Sequence, residues 1–243
     1  MTPRELEIAL GLPRVELFDT VGSTMDVSHR SADLGAPAGT LVLADEQIGG
    51  RGRGGKSWVS APGAGIWLTL IERPADISGL EVLSLRAGLR VAAALDRFAP
   101  EPIRLKWPND LYVDAGKLGG ILVEARWREK AVEWVSIGVG VNVRPPANVD
   151  RSGSLEAGVG RVDVLTELVP ALRAAAAATG PLDPSELEEF DARDLARGRI
   201  CTEPALGRVA GISLTGELLI ELADSVGSFR SGSLVLEEGE ARW

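Results

Sequence analysis

The sequence predicts an α+β protein in which a mixed, partly antiparallel sheet with flanking helices is followed by a small all-β unit. Three observations predict it. Strand-like segments between Ile103 and Val143 follow one another through tight turns, which calls for antiparallel pairing. Apolar residues recur at Val82, Leu85, Leu89, Ala92 and Leu95, the stripe of an amphipathic helix that must lie on a sheet or another helix. Beyond Gly198 the texture changes to short strands separated by glycine-containing turns.

Taken in order, Val15 to Phe18 reads as a short strand, and Ser23-Thr24 opens a helix to about Leu34, where Gly35 and Pro37 end it. Thr40 to Glu46 is a second strand. A loop with five glycines, Gly49 to Ser60, leads to a third strand, Gly65 to Ile71. The amphipathic helix is expected over Leu80 to Phe98, closed by Pro100 and Pro102. Ile103 to Trp107, Leu111 to Val113, Lys117 to Trp127 and Ala131 to Val143 read as strands, with turns at Asp114-Ala115-Gly116 and Arg128-Glu129-Lys130. Arg144 to Arg161 has prolines, glycines and no periodicity, so a mobile loop is expected. Two helices follow, Asp163 to Ala178, capped by Asp163 and stopped by Gly180, and Ser185 to Ala196. Arg208 to Ile212, Glu217 to Leu222 and Ser233 to Leu236 are the strands of the last unit, which sets expected domains of 1–198 and 199–243.

Composition narrows the function. The 243 residues allow one large domain with an appendage, and 45% hydrophobic with 25% charged residues is ordinary globular usage. No apolar run is long enough to span a bilayer and Met1 to Leu10 lacks a secretory pattern, so a cytoplasmic protein without membrane contact is expected. Net charge is −9, with no run of five basic residues, which opposes binding to DNA. The single cysteine, Cys201, excludes an internal disulfide and reads as a small filler. The single histidine, His29, lies in a polar stretch resembling a helix surface, so Ser-His-Asp and histidine-rich metal chemistry are set aside.

Gly50-Arg51-Gly52-Arg53-Gly54-Gly55-Lys56-Ser57 satisfies G-x-x-x-x-G-K-S, and its first six residues satisfy G-x-G-x-x-G. Both mechanisms need a helix directly after the loop, whose N-terminus meets the phosphates. Trp58 to Gly65 holds a proline and two glycines ahead of an aromatic strand, which leaves no room for one; a helix beginning at Lys56 would revive them. The remaining readings are a solvated turn, or a loop that wraps an anionic small molecule through Arg51, Arg53 and Lys56. Downstream, Lys106-Trp107-Pro108-Asn109-Asp110 sets a cation, a flat aromatic, an amide and a carboxylate at a strand end, with Pro108 holding Trp107 extended. Lys117-Leu118-Gly119-Gly120 puts a lysine beside two glycines, and Gly138-Val139-Gly140-Val141-Asn142 puts glycines on one strand face. Each alone is compatible with bulges, snorkelling lysines and a core tryptophan.

Together these pieces closely resemble the biotin protein ligase family. The resemblance rests on Ser23-Thr24, Gln47, GRGRGGKSW (Gly50 to Trp58), KWPNDL (Lys106 to Leu111), KLGGILVE (Lys117 to Glu124) and GVGVN (Gly138 to Asn142), in the family's order and spacing. It implies a catalytic domain related to class II aminoacyl-tRNA synthetases and lipoate ligases, with an SH3-like C-terminal β-barrel. It implies an ATP-dependent enzyme that forms biotinyl-AMP from biotin and ATP with Mg²⁺, then transfers biotin to a lysine of a biotin carboxyl carrier protein domain, in acetyl-CoA carboxylase or a similar carboxylase. Both steps develop negative charge, so preorganised cations rather than a nucleophile are required.

By position in the motifs, the resemblance places Ser23, Thr24, Gln47, Gly50, Arg51, Lys117, Gly120 and Gly138 around biotin, and Arg53, Trp58, Lys106, Asn109, Asp110 and Asn142 around the nucleotide. Lys117, Arg51, Arg53 and Asp110 are the expected catalytic set. Lys117 is expected at the biotin carboxylate and α-phosphate, Arg51 and Arg53 closing over the anhydride, and Trp58 packing on biotin or adenine. Asp110 is expected at the magnesium ion or at deprotonation of the incoming lysine. Met25 and Gly54 depart from the family pattern, where asparagine and a third basic residue are frequent. With about a dozen residues before the first strand, the chain is expected to lack the repressor domain of longer relatives. A lipoate or other acyl ligase and a non-catalytic biotin or nucleotide binder are the alternatives, and a homodimer is among the assemblies open to it.

Overall fold

The structure is a computed structural model that describes residues 1–114, 116–146 and 149–237. Its first element is a helix absent from the sequence expectation, α1 (Pro3–Leu10), held by a capping box between Thr2 and Glu5 with proline in the first turn. Then come β1 (Arg14–Val21), α2 (Thr24–Asp33, with Ser23 at its N-cap), β2 (Thr40–Gln47) and β3 (Gly65–Glu72). The expected Leu80 to Phe98 helix is α-helical only over α3 (Leu83–Leu95), with one 3-10 turn at each end. β4 (Arg104–Lys106), β5 (Asp110–Val113), β6 (Gly116–Arg128) and β7 (Ala131–Asn142) match the expected hairpins. Glu129 turns the last of them at φ 56°; of the other turn, Ala115 lies outside the described residues.

These strands form a seven-stranded sheet in the order β1-β2-β3-β7-β6-β5-β4. β1 and β2 run parallel, joined by α2 as crossover, and every other neighbour is antiparallel. α4 (Arg161–Ala177) and α5 (Pro184–Arg193) follow. α4 begins two residues before Asp163 with Gly160 at its N-cap, so the expected Asp163 cap is wrong. α5 starts one residue earlier than expected, capped by Asp183, and ends three residues sooner. α3 and α4 pack together over one face of the sheet, where Ile66, Leu68, Leu70, Leu89, Leu168 and Leu172 share one core. α2 covers part of the other face.

The segment read as a mobile loop is tied to the sheet where it is described. Lys117 N–H donates to Arg151 O at 2.8 Å, Gly153 N–H to Lys117 O at 2.9 Å, and Leu155 N–H to Asn142 O at 3.1 Å. Its missing periodicity reflects an irregular path whose backbone hydrogen bonds go to β6 and β7 instead.

The C-terminal unit has β8 (Ile200–Glu203), β9 (Gly207–Ile212), β10 (Leu218–Glu221), β11 (Val226–Phe229) and β12 (Val235–Leu236), of which β8 and β11 are not among the sequence expectations. They form a five-stranded sheet, β11-β10-β9-β8-β12, and no pairing closes it into the expected barrel among the described residues. The unit is stitched to the rest of the fold: Trp107 Nε1–H, just after β4, donates to Gly216 O at 3.0 Å, and Leu182 N–H, between α4 and α5, to Leu214 O at 2.9 Å.

Asp194 sits at the approach to this unit, 5% exposed, its Oδ1 accepting from Ala196 N–H at 2.8 Å. Burial pushes its carboxyl up to about 6. Between the ordinary aspartate range and that value, the folded state holds a proton that the unfolded chain has already lost. The associated stability, fully present at low pH, is therefore lost as pH rises through about 6. At neutral pH the buried charge costs on the order of 3 kcal/mol. Asp194→Asn keeps the acceptor without the charge, so urea unfolding is expected to show the variant more stable than wild type at pH 7.5, with the gap shrinking towards pH 4. A gap independent of pH would contradict the assignment.

Candidate functional site

Side chains alternate along β7. Val135, Ile137, Val139 and Val141 are buried in the helix-covered core, which turns Ser136, Gly138, Gly140 and Asn142 to the other face. β6 sets Gly120 opposite Gly140 and Leu122 opposite Gly138. The result is a strip of sheet almost free of side chains. A Cβ on Gly140 would lie 2.6 Å from Trp58 Nε1, and one on Gly138 2.7 Å from Met25 Cε, so those two side chains cover the strip. Above it opens a cavity of about 820 Å³, within the range of small-molecule sites. Its walls come from the start of α2, the glycine loop, β5, β6, the segment after β7, and Gly232 to Val235 of the C-terminal unit.

Lys117 reaches this cavity because of a bulge. The β5–β6 register steps from Leu111↔Gly119 to Tyr112↔Lys117, which places one extra residue on β6. Leu118 and Ile121 then both enter the core, so Lys117 and Gly120, three residues apart, share the cavity face. Gly119 allows it, since a Cβ there would meet Gly140 O at 2.6 Å. Lys117 Nζ lies 2.6 Å from Asp110 Oδ1 and 5.2 Å from the Trp58 ring centroid, a cation over an aromatic face. Trp58 Nε1–H is buried beside them without an acceptor.

One end of the cavity is a polar network. Gln47 Oε1 accepts from Thr24 N–H at 2.8 Å and from Thr24 Oγ1 at 3.0 Å, and Gln47 Nε2 donates to Ser60 Oγ at 2.9 Å. Thr69 Oγ1 donates to Thr24 Oγ1 at 2.9 Å, and Ser23 Oγ accepts from Met25 N–H at 3.3 Å. Thr24 is thus largely committed, while Ser23 keeps its hydroxyl hydrogen available. Gly50 packs against this network, with Trp58 O, Ser60 Oγ and Gln47 Nε2 at 2.5, 2.9 and 3.2 Å from where a Cβ would stand.

The glycine loop folds back on itself. Gly52 N–H donates to Lys56 O at 2.7 Å, Trp58 N–H to Gly50 O at 2.9 Å, and Arg51 bridges Ser57. Gly54 and Gly55 turn it at φ 68° and 76°, and Lys56 is already extended. No helix follows, so the loop is not of the phosphate-loop or dinucleotide type. Both arginines line the cavity, yet each guanidinium is engaged at its edge. Arg51 Nη2 lies 2.9 Å from Asp26 Oδ1 and 3.5 Å from Glu124 Oε2. Arg53 donates to Gly232 O and its Cζ stands 6.0 Å over the Trp107 ring.

Of the other expected residues, Lys106 pairs in register with Asp110 across the β4–β5 hairpin and lines the cavity. Burial lowers its pKa, partly offset by Asp110. Burial pushes the neighbouring Tyr112 phenol up to about 12, which keeps it a hydrogen-bond donor. Asn109 and Asn142 line the cavity, with amide hydrogens given to backbone: one from Asn109 Nδ2 to Ile121 O at 2.9 Å, and both from Asn142 Nδ2, to Lys117 O and Gly153 O at 3.2 and 3.0 Å. Among the described residues no cluster of three or more His, Cys, Asp or Glu could hold a metal ion, and Asp110 and Asp150 are the carboxylates that line the cavity. Trp107, 2% exposed, belongs to the core.

Gly140 and the wall at Gly232 to Val235 join the site without having been expected there, and Asp26 and Glu124, outside the cavity lining, are the unexpected partners of Arg51. The alternation in GVGVN was signal enough for Gly140. The others depend on long-range packing that no local pattern encodes.

Among the described residues no helix is long and apolar enough to cross a membrane. In fold the chain is similar to the biotin protein ligase of Aquifex aeolicus solved with biotin and ATP, at TM-score 0.76 and 24% identity over 94% of this chain and 100% of that one. In sequence it is 39% identical over 131 residues to the bifunctional ligase/repressor BirA of Bacillus subtilis, a match covering 54% of this chain and 40% of that protein. The chain thus spans about two fifths of the ligase/repressor it matches. It is 33% identical over 200 residues to the biotin–[acetyl-CoA-carboxylase] ligase of Mycobacterium tuberculosis, covering 77% of this chain and 73% of the relative. The sequence model of the biotin/lipoate A/B protein ligase family matches residues 17–142, just over half of the 243. That stretch contains the polar network, the glycine loop, the bulge with Lys117 and the side-chain-free strip, and by it the chain belongs to the biotin/lipoate A/B protein ligase family.

Proposed function

We propose that this chain is a biotin protein ligase that forms biotinyl-AMP from biotin and Mg–ATP and passes biotin to a carrier lysine, in acetyl-CoA carboxylase or a similar carboxylase. The observation that carries the reading is the order of groups along the bare strip: Met25 and Thr69 at Gly138, with Thr24 and Gln47 hydrogen-bonded on from Thr69, then Trp58 at Gly140 and Lys117 at the facing Gly120, then Asn142. Biotin's polar ring lies at the Ser23–Thr24–Gln47 end, its carboxylate at Lys117, and the nucleotide beyond, towards Lys106, Asn109, Asp110 and Asn142. The polar network suits a ureido ring better than a wholly apolar acyl chain, because a buried donor or acceptor left unpaired costs about 1–3 kcal/mol.

In the first step a biotin carboxylate oxygen attacks the α-phosphorus, the α–β phosphoanhydride bond breaks, and pyrophosphate leaves. Lys117 holds carboxylate and α-phosphoryl oxygens together, and the Trp58 indole N–H supplies a second donor. In the second step the carrier amine attacks the acyl carbon and AMP leaves, with Asp110 placed to take the proton lost from the amine. Magnesium would enter as part of the ATP substrate, and Asp110 is the carboxylate that would add a protein oxygen to it. We assign this chemistry to the first of the two expected domains, with Gly232 to Val235 of the C-terminal unit completing the wall.

Intact-mass analysis of a biotin carrier domain incubated with the protein, biotin and Mg–ATP is expected to show one biotin added to one lysine. An unmodified carrier, with the enzyme folded and biotin bound, would count against transfer.

A further inference from the structure

The geometry points to Asp26 and Glu124 as positioning residues that clasp the glycine loop through Arg51 and so keep biotinyl-AMP enclosed. This rests on the ligase reading above. Asp26 lies in the first turn of α2, whose start walls the polar end of the cavity, and Glu124 lies on β6 four residues beyond Gly120. Arg51 reaches both, at 2.9 and 3.5 Å, and so ties the loop across the gap between α2 and β6. Glu124 also lies 3.1 Å from His29 Nε2, with no hydrogen bond between them, and the His29 ring packs 4.8 Å from Trp134. Two residues on, Arg53 fastens the turn of the loop to Gly232 O. The loop so held carries Trp58 over Gly140, beside Lys117.

Neither Asp26 nor Glu124 lines the cavity, so neither touches the reacting atoms. Their effect passes through Arg51. Arg51, Asp26 and Glu124 are 39%, 50% and 34% exposed, so each contact belongs to the weak class of ion pairs, and the effect is a change in loop opening rather than in fold stability. An activated acyl phosphate whose lid opens more often escapes or hydrolyses before the carrier arrives.

The test uses the double variant Asp26→Asn with Glu124→Gln, each isosteric and partly exposed, in the full chain with Arg51 intact and again with Arg51→Ala. Hydrogen exchange of the unliganded protein reads the clasp directly. The Gly52 and Trp58 amides, hydrogen-bonded within the loop, are expected to exchange roughly three- to tenfold faster in the double variant, the loss expected for one or two exposed ion pairs. Release of biotinyl-AMP from the preloaded enzyme is expected to rise by a similar factor, while pyrophosphate exchange stays close to wild type. In the Arg51→Ala background the two carboxylate changes are expected to add nothing. Unchanged loop exchange, or equal increments with and without Arg51, would overturn the clasp. Wild-type enzyme that makes no biotinyl-AMP would overturn the ligase reading instead, and the exchange measurement would still decide whether the clasp exists.

Discussion

Lys117→Ala is expected to lower biotin-dependent pyrophosphate exchange by roughly 10²–10³-fold, the loss typical for removing one preorganised donor at developing charge. Its ammonium lies in the middle of the bare strip, paired with Asp110 and stacked over Trp58. The alanine variant keeps the bulge and the glycines, so its thermal midpoint is expected to stay within a few degrees of wild type. Lys117→Arg is not expected to rescue the rate, because a longer guanidinium stacks on Trp58 with its charge spread over a planar fork instead of holding one compact ammonium 2.6 Å from Asp110. Initial-rate assays of exchange check this, and a Lys117→Ala enzyme within threefold of wild type would remove the lysine from the reaction.

The second large effect concerns stability. Arg86 is 2% exposed on α3, with Nε 2.8 Å from Glu186 Oε1, Nη2 3.0 Å from Glu186 Oε2, and further donors to the carbonyls of Gly180 and Pro181. This one side chain ties α3 to α5 and to the turn between α4 and α5. Its hydrogen bonds hold the Glu186 carboxyl below the usual carboxylate range. Arg86→Ala removes the donors of two partly buried carbonyls and leaves the buried Glu186 carboxylate with the Asp183 N–H at 3.1 Å and the more distant Arg90 at 3.7 Å, which is expected to cost about 3–5 kcal/mol. For a chain of this size the thermal midpoint falls by roughly 10 °C. Calorimetry reads it directly, and a shift of only a degree or two would show that the pair contributes little.

What can be read from sequence depends on where each signal resides. The seven strands of the main sheet are readable because alternation and turn residues are local; Val135 to Asn142 alternates core and bare strip almost residue by residue. α1 escapes because its cue is the Thr2–Glu5 capping box on a short segment, with just two buried residues to mark a stripe. β8 and β11 escape because each offers two apolar side chains in four residues, against three in the equally short β10. In the site, Lys117, Asp110, Trp58, Gly120, Gly138 and the Ser23–Thr24–Gln47 group are brought to one cavity as expected. Arg51 reaches the cavity too, but its guanidinium is held by Asp26 and Glu124, which lie on elements distant from it in the chain. The bulge that aims Lys117 is also hidden: two glycines after a lysine mark a bulge without giving its direction.

The ligase chemistry depends on one cavity bringing a biotin carboxylate and the α-phosphate of ATP together at Lys117. Exchange of labelled pyrophosphate into ATP probes that meeting without any carrier protein, run with biotin, with lipoate and with neither. Exchange is expected with biotin, far less with lipoate, and none without an acid. Folded wild-type protein that supports no exchange with biotin, or exchanges faster with lipoate, would contradict it.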